Sequence, residues 1–475
     1  MSTDTSDVTA ETEARLFMAA PAQFFGHSSH AMHHIAPDRL ADLQTEALNL
    51  RFTELREAIP VLRTLADQQG ISQIDSLEDA PRVLFQHSVY KSYPASLLEA
   101  GRFGPLTRWL DRLSTLDLAS VDVDDCNSLD QWLSLLDERM QLMLVHSSGT
   151  GGRMSFLPRS AAESSRWMET LRCELFEFAG VGDAENQPDE HFDIVWPTYR
   201  FGRTALMRII ELAAEHVAGS EDRVHALRPG WMSSDAMFVA ARLAAAAARG
   251  EQLEITPALR ERRDEFRAAQ RELAGSMDRF FAEVVELLRG KRVWFLGTWT
   301  LVHDVARAGI DRGVEGIFAP DSVVTTSGGA KGQVLPDDWE RQVARYAGVS
   351  RLHHAYGMTE MMGINSLCDG GRYHINPWMI PMVLDPDDGS LLHGPGERRG
   401  RFAFVDLMAE TYWGGFITGD EASLSEEPCA CGRTTPHIAK EIERYSAKRG
   451  GDDKINCAAA GEAHDRALEY LGDNL

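Results

Sequence analysis

Cysteine is scarce in this chain. Six thiols in 475 residues are too few for the dense disulfide framework of a small secreted domain. Long apolar runs are missing as well, so no segment reads as a bilayer span. The opening residues, MSTDTSDVTAETEAR, are polar and acidic and do not read as a secretory leader. Positive charge is in deficit: 48 Lys and Arg stand against 72 Asp and Glu, for a net charge of −24. A general nucleic-acid binder needs a basic face to neutralise phosphates, so that class is excluded. One small anion in a locally positive pocket is not. No internal repeat and no low-complexity tract is present. What remains is a globular composition, 44% apolar and 25% charged, long enough for one large domain or two to three ordinary ones. A reducing cytoplasm is the expected compartment.

The apolar spacing predicts mostly helix up to about residue 140. LMLVHSS (142–148) reads as a strand feeding a loop. Ser160 is a fitting N-cap and Gly180 a stop for the helix between them. HFDIVWP, RVWFLG, SVVTTSGG and SRLHHAYG then read as buried strands. TLVHDVARAG and PDDWERQVARYAG read as helices, the second with proline in its first turn. This alternation predicts an α/β fold, a large multilayer domain of parallel β-α units with ligands at the carboxyl ends of the strands. After about residue 378 glycine and proline punctuate alternating strands, which predicts a small antiparallel β section.

Four segments carry candidate chemistry. HSSGTGGRMSFLPR (146–159) follows a predicted strand, and its glycines and hydroxyls suit phosphate oxygens. It is not a Walker loop, because the GK[ST] ending is missing. TTSGGAKG (325–332) is a second strand ending in glycines. AYGMTE (355–360) offers a ring to stack on a base, a hydroxyl and a hard oxygen ligand for magnesium. FITGD (416–420) ends a β stretch in an acid that can accept from ribose hydroxyls. Each alone has a plain alternative as a turn, a helix cap or a solvated acid.

Together and in this order, SSGTGG, TTSGGAKG, YGMTE and TGD resemble the core motifs of the adenylate-forming superfamily of acyl-CoA ligases and adenylation domains. The resemblance covers about residues 140–456. Two branches look closest. CACGRTTPHI (429–438) resembles the phenylacetate–CoA ligase branch, and SGGAKG with DDKINC (452–457) the acyl-protein synthetases of bacterial luminescence. The resemblance implies that Ser147, Ser148, Gly149, Thr150, Gly151, Gly152 and Arg153 cradle the phosphates of ATP or AMP. Ser327, Gly328, Gly329 and Ala330 would line the adenine and acyl pocket. Tyr356 would stack on adenine beside Gly357 and Met358. Thr359 would meet the α-phosphate, Glu360 the magnesium ion and Asp420 the ribose, with Arg444 also among the nucleotide-binding residues. The implied reaction turns ATP and a carboxylic acid into an acyl adenylate and pyrophosphate. Transfer to a thiol would follow, on coenzyme A, a carrier protein or Cys457. A non-catalytic nucleotide- or acyl-binding relative, and adenylation coupled to a nitrogen nucleophile, are the alternatives.

Two departures from the family pattern stand out. The first loop lacks its lysine; Arg153, Arg159 or Lys331 could replace its charge, with Lys331 the expected replacement. The chain also ends soon after Asp420, so residues 1–440 read as the large domain and 441–475 as a short stub where relatives carry a mobile domain. Cys368, His374, Cys429 and Cys431 form a set suited to one structural zinc ion, with independent buried thiols as the alternative. GHSSHAMHH, with His27, His30, His33 and His34, reads as a polar surface loop. For the acid, WPTYRFGRTALM (196–207) offers Tyr199, Arg200 and Arg203, and FLGTWTLV (295–302) offers Gly297 and Trp299. Core packing with surface arginines is the equal alternative. An aromatic or aliphatic acid is expected, with no nucleic acid, no membrane span and a homodimer left open.

Overall fold

The computed structural model describes residues 4–147, 153–184, 190–250, 267, 268, 271, 275–328 and 335–445. The chain opens on helices. Pro37 and Pro60 sit in the first turns of Pro37–Ala58 and Pro60–Gln69, where their missing N–H groups cost nothing. Gly70 ends the second with φ of 67°. Short strands β1 (Phe85–Gln86), β2 (Val145–His146) and β3 (Phe156–Leu157) follow. The strand expected over 142–148 contracts to β2 because, among the described residues, its one ladder is with β3, at Val145–Leu157 and His146–Phe156. The next helix, Ala161–Ala179, runs between the expected signals. Ser160 and Glu163 form a reciprocal capping box, and Gly180 closes it with φ of 68°.

Strands β4 (Asp193–Phe201), β5 (Val224–Trp231), β6 (Val293–Thr298), β7 (Val323–Ser327), β8 (His353–Tyr356) and β9 (Asn365–Ser366) form one sheet in the order β5-β4-β6-β7-β8-β9. All pairings are parallel except β8 with β9. Helices cover the faces, so every residue of β6 is buried. The helix expected from Pro336 begins instead at Trp339, after a turn in which Asp338 bonds Arg341 and Gln342. A second sheet has β10 (Arg372–His374), β11 (Met379–Leu384), β12 (Arg398–Asp406), β13 (Gly415–Ser425) and β14 (His437–Ala439) in the order β10-β14-β13-β12-β11. Both β1 and β15 (Glu443–Arg444) also pair with β13. Its ladders are antiparallel apart from β1 with β13. The α/β class with an antiparallel β section is therefore the observed one. None of the described helices is long and apolar enough to cross a membrane.

Two contacts test this packing. Gly309, in the helix Trp299–Asp311, lets Tyr346 lie against the backbone; a Cβ there would sit 2.4 Å from the Tyr346 ring. That ring is fully buried against Phe281, Phe295 and Phe318 and cannot swing away. Gly309→Ala is expected to lower stability by about 1–3 kcal/mol in urea unfolding, despite alanine's better helix propensity. The second contact joins the helix Ala161–Ala179 to β9, where Ser366 Oγ donates to Glu174 Oε2 at 2.8 Å. Burial pushes the Glu174 carboxyl up from its ordinary 4.5 to about 7. A raised carboxyl gives stability that is complete below its unfolded value and fades as pH rises toward the folded one. Glu174→Gln should gain on the parent from about pH 4.5 to about pH 7 and hold a level advantage above that, read by urea unfolding across the range.

Candidate functional site

The register of the parallel sheet brings distant motifs together. Gly297 pairs with Thr326 and Thr326 with His354; Thr298 pairs with Ser327 and Ser327 with Ala355. Gly297, Ser327, Gly328, Tyr356 and Gly357 therefore stand at one carboxyl edge. Gly328 takes φ of 77°, a left-handed turn that glycine permits. Strand β4 pairs with β6 only through Val195 and thereafter with β5 alone. The chain leaves β4 toward β5 on one side, and β6, β7 and β8 follow on the other. The boundary between β4 and β6 is thus the topological switch point, the place in such sheets where a crevice opens.

The antiparallel sheet reaches this edge through one acid. Tyr356 Oη donates to Asp420 Oδ2 at 2.9 Å, and Arg444 Nε lies 3.4 Å from Asp420 Oδ1. Asp420 and Arg444 are cross-strand partners on β13 and β15. Burial, and then the charge of Asp420, push the Tyr356 phenol well above its usual range, so it stays protonated and donates. Its ring lies 6.0 Å from Phe402 and 6.1 Å from Tyr373.

Glu360 follows four residues after Tyr356 on the same loop. Burial raises its carboxyl, while its own backbone N–H and the charges of Arg159, Lys91 and Arg444 oppose that shift. A half-buried carboxylate, with cations nearby but none bonded to it among the described residues, is a fitting ligand for a hard cation. Lys91 carried no motif in the sequence. It ends a short 3-10 turn, Val89–Lys91, far back in the helical section, and only the tertiary fold brings its field to Glu360.

The first loop is anchored at its root. Ser147 Oγ accepts from Ser155 N at 2.9 Å and bonds Ser155 Oγ at 3.0 Å, while His146 Nε2 lies 3.0 Å from Ser234 Oγ. Arg153 Nη1 reaches the carbonyl of Tyr93 at 3.4 Å. Ser148, Gly149, Thr150, Gly151, Gly152, Gly329, Ala330, Lys331 and Cys457 lie outside the described residues.

The arginines named for the acid have partners within the chain. Arg203 is buried, with Nη2 2.7 Å from Ser134 Oγ and Nε 3.3 Å from Asp137 Oδ2. Arg200 bonds Glu221 and lies over the Phe201 ring at 4.5 Å. Tyr199 is buried beneath Arg228, 5.0 Å from its ring. Trp299 stacks on Trp339 at 5.7 Å, a neighbour the sequence pattern gave no reason to select.

The cysteine and histidine set converges. The ligand atoms of Cys368, His374, Cys429 and Cys431 all lie within 4.8 Å of one another. Cys368 Sγ is 3.7 Å from Cys429 Sγ, and Cys431 Sγ is 3.3 Å from His374 Nε2. A Cβ on Gly370 would come 3.2 Å from Cys429 Sγ and 3.4 Å from Cys368 Sγ, so glycine keeps this cradle open. Thr435 Oγ1, 3.2 Å from His374 Nδ1, leaves Nε2 to face the sulfurs. The donor set and its orientation fit one tetrahedral zinc ion. The histidine-rich stretch is not a surface loop. Ser29–His33 is a short helix, and His33 is 1% exposed, with Nδ1 3.1 Å from that same Thr435 Oγ1. The loop after Cys431 needs a cover, and Thr434 N donates to His33 O at 2.8 Å to hold it there.

No protein-family model matches the sequence, and no curated protein matches it. Solved structures do. An open conformation of 2-hydroxyisobutyryl-CoA ligase in complex with 2-HIB-AMP and CoA aligns with a TM-score of 0.51 and 14% identity, over 87% of this chain and 72% of that one. The same ligase with 2-HIB-AMP and CoA in its thioesterification state aligns with a TM-score of 0.51 and 14% identity, over 87% and 70%. Its postadenylation state with R3-HIB-AMP gives 0.50 and 14%, over 87% and 69%. At this identity the likeness establishes the fold, which is the one the motif order implies.

Proposed function

We propose that this chain, which has the fold of an adenylate-forming acyl-CoA ligase, activates a carboxylic acid with ATP and passes the acyl group to a thiol. The observation that carries this reading is the Tyr356–Asp420–Arg444 group beside Glu360 at the switch-point edge. It unites a flat ring, a ribose-sized acceptor and a cation ligand from motifs far apart in sequence. The glycine loop at 147–153 and the turn at 327–331 complete the nucleotide cradle in this reading. A carboxylate oxygen of the acid attacks the α-phosphorus, the bond to the bridging oxygen breaks, and pyrophosphate leaves. Such a step asks for positioning and for positive charge around the phosphates rather than for a covalent group on the protein. Lys91, Arg153 and Lys331 supply that charge in place of the missing loop lysine. Glu360 would hold magnesium, and Thr359 the α-phosphate.

Tyr199, Gly297 and Trp299 line the place for an aromatic or aliphatic acid. The bonds of Arg200 and Arg203 to Glu221, Ser134 and Asp137 favour a supporting task for these arginines over a direct contact. A thiol then attacks the acyl carbon and AMP leaves. The structural neighbour is named for CoA and binds it, which favours coenzyme A over a carrier protein or Cys457. Residues 1–440 form the catalytic body in this reading. One zinc ion on Cys368, His374, Cys429 and Cys431 fastens the loop after Glu360 to the β section that bears Asp420.

Two measurements test the proposal. The parent should catalyse acid-dependent exchange of labelled pyrophosphate into ATP, and Asp420→Asn should reduce the exchange at least about tenfold, chiefly through KM for ATP. A folded, nucleotide-binding parent that exchanges with no aromatic, aliphatic or amino acid would support the binding-protein alternative instead. Purified protein should carry about one zinc per chain, and chelation should lower its melting temperature. A metal-free preparation with an unchanged melting temperature would remove the zinc.

A further inference from the structure

Arg159 is 1% exposed and is among the largest fully buried side chains. Its Nη2 donates to the carbonyls of Thr359, at 2.6 Å, and Met361, at 2.8 Å. Its Nε reaches Tyr412 Oη at 3.3 Å. None of these acceptors is charged. The guanidinium lies over the rings of Trp167 and Tyr412, 5.6 and 5.8 Å from their centres. Removing a guanidinium from water costs several kcal/mol unless strong bonds replace its hydration. Two short, charge-assisted bonds to carbonyls are that replacement, and both fall on the loop that carries Glu360. An apolar side chain would fill the same space without the desolvation cost, so packing alone does not account for arginine here.

The loop is held from its other side as well. Asp406, fully buried, accepts from Met362 N at 2.6 Å and from Met408 N at 3.1 Å. Trp378 Nε1 donates to Met362 O at 2.9 Å. The backbone from Thr359 to Met362 is therefore gripped at two carbonyls by one cation, at the next N–H by the Asp406 carboxyl, and at the carbonyl beyond by an indole. Glu360 sits between the two carbonyls that Arg159 holds. Arg159 itself follows β3, the strand that returns from the first glycine loop, and its neighbour Ser160 opens the capping box. Glu163 of that box accepts from the backbone N–H groups of Glu410 and Thr411. One short stretch thus ties the end of the glycine loop to the YGMTE loop and to the β section.

We infer that Arg159 is a positioning residue: it fixes Thr359 and Glu360 relative to β3 and so sets the affinity of the site for magnesium-bound nucleotide. This inference rests on the adenylation reading for its ligand but not for its geometry. Two variants separate the possibilities. Arg159→Lys keeps the charge and loses the planar fork, and Arg159→Met also loses the charge. Hydrogen exchange at the amides of residues 357–363 reads the loop without any activity. Calorimetric titration of ATP at a series of magnesium concentrations reads the site.

In Arg159→Lys the loop amides should exchange at least about tenfold faster while β11 and β12 keep their protection, and the magnesium concentration for half-maximal ATP affinity should rise about tenfold. Arg159→Met should shift both readings further if it folds; the lysine variant decides the matter if it does not. Unchanged loop protection, or a loosened loop with an unchanged magnesium dependence, would overturn the inference. A parent that binds no nucleotide sinks the adenylation reading. Arg159 is then judged on loop exchange alone, where faster exchange supports it and unchanged protection removes it.

Discussion

A parallel ladder obliges its strands to point the same way, and in this molecule the functional arrangement depends on that constraint. The ladders of β4, β6, β7 and β8 run in one direction, so residues from Tyr199 to Tyr356 arrive at one edge although long crossovers separate them. Each crossover must bury a face on the sheet, which is why helices such as Ala205–His216 and Trp299–Asp311 follow their strands directly. The change of direction at β4 makes the β4–β6 boundary the switch point of the sheet, where folds of this class place their ligands. A second sheet, built on antiparallel pairing, meets this edge where Asp420 accepts from Tyr356.

Much of this was legible in the sequence, for a physical reason. Strands buried on both faces are continuously apolar, and capped helices announce their ends. Ser160 with Glu163, and Gly180 beyond, are local chemistry that no tertiary contact had to rescue. The four motifs were readable because glycine and hydroxyl residues at strand ends have few other uses together. The failures are tertiary. His33 looked like a surface residue because its stretch is polar, yet a buried threonine hydroxyl supplies the partner that lets it be covered. Lys91 and Asp406 carry no local pattern at all. Their importance comes from where the fold sets them relative to Glu360 and its loop. Arg200 and Arg203 looked like free cations, and only the fold supplies Glu221, Asp137 and Ser134.

Charge scarcity gives the arginines a common pattern. With acids in large excess, a lone cation on the surface meets carboxylates easily. Some buried ones pair with acids as well, as Arg200 does with Glu221 and Arg208 with Asp137, but three of the buried arginines also hold backbone. Arg51 Nε donates to Leu407 O at 3.2 Å, Arg208 Nε to Leu144 O at 3.3 Å, and Arg159 to Thr359 and Met361. In each case the bond ties a helix or a returning strand to an irregular segment, where carbonyls lack ladder partners. The guanidinium fork serves these segments as hydrogen bonding serves a sheet.

Strand β5 has a consequence for how copies of the chain meet one another. Among the described residues it ends the parallel sheet on one side, and its outer row of backbone groups has no strand partner there. Such an edge is a template on which another chain can extend the sheet. Pro229 lies near its end, followed by Gly230 and the half-exposed Trp231. A proline there offers no N–H and breaks the continuity of the row that an incoming strand would need. Pro229 therefore works against edge-to-edge association along β5.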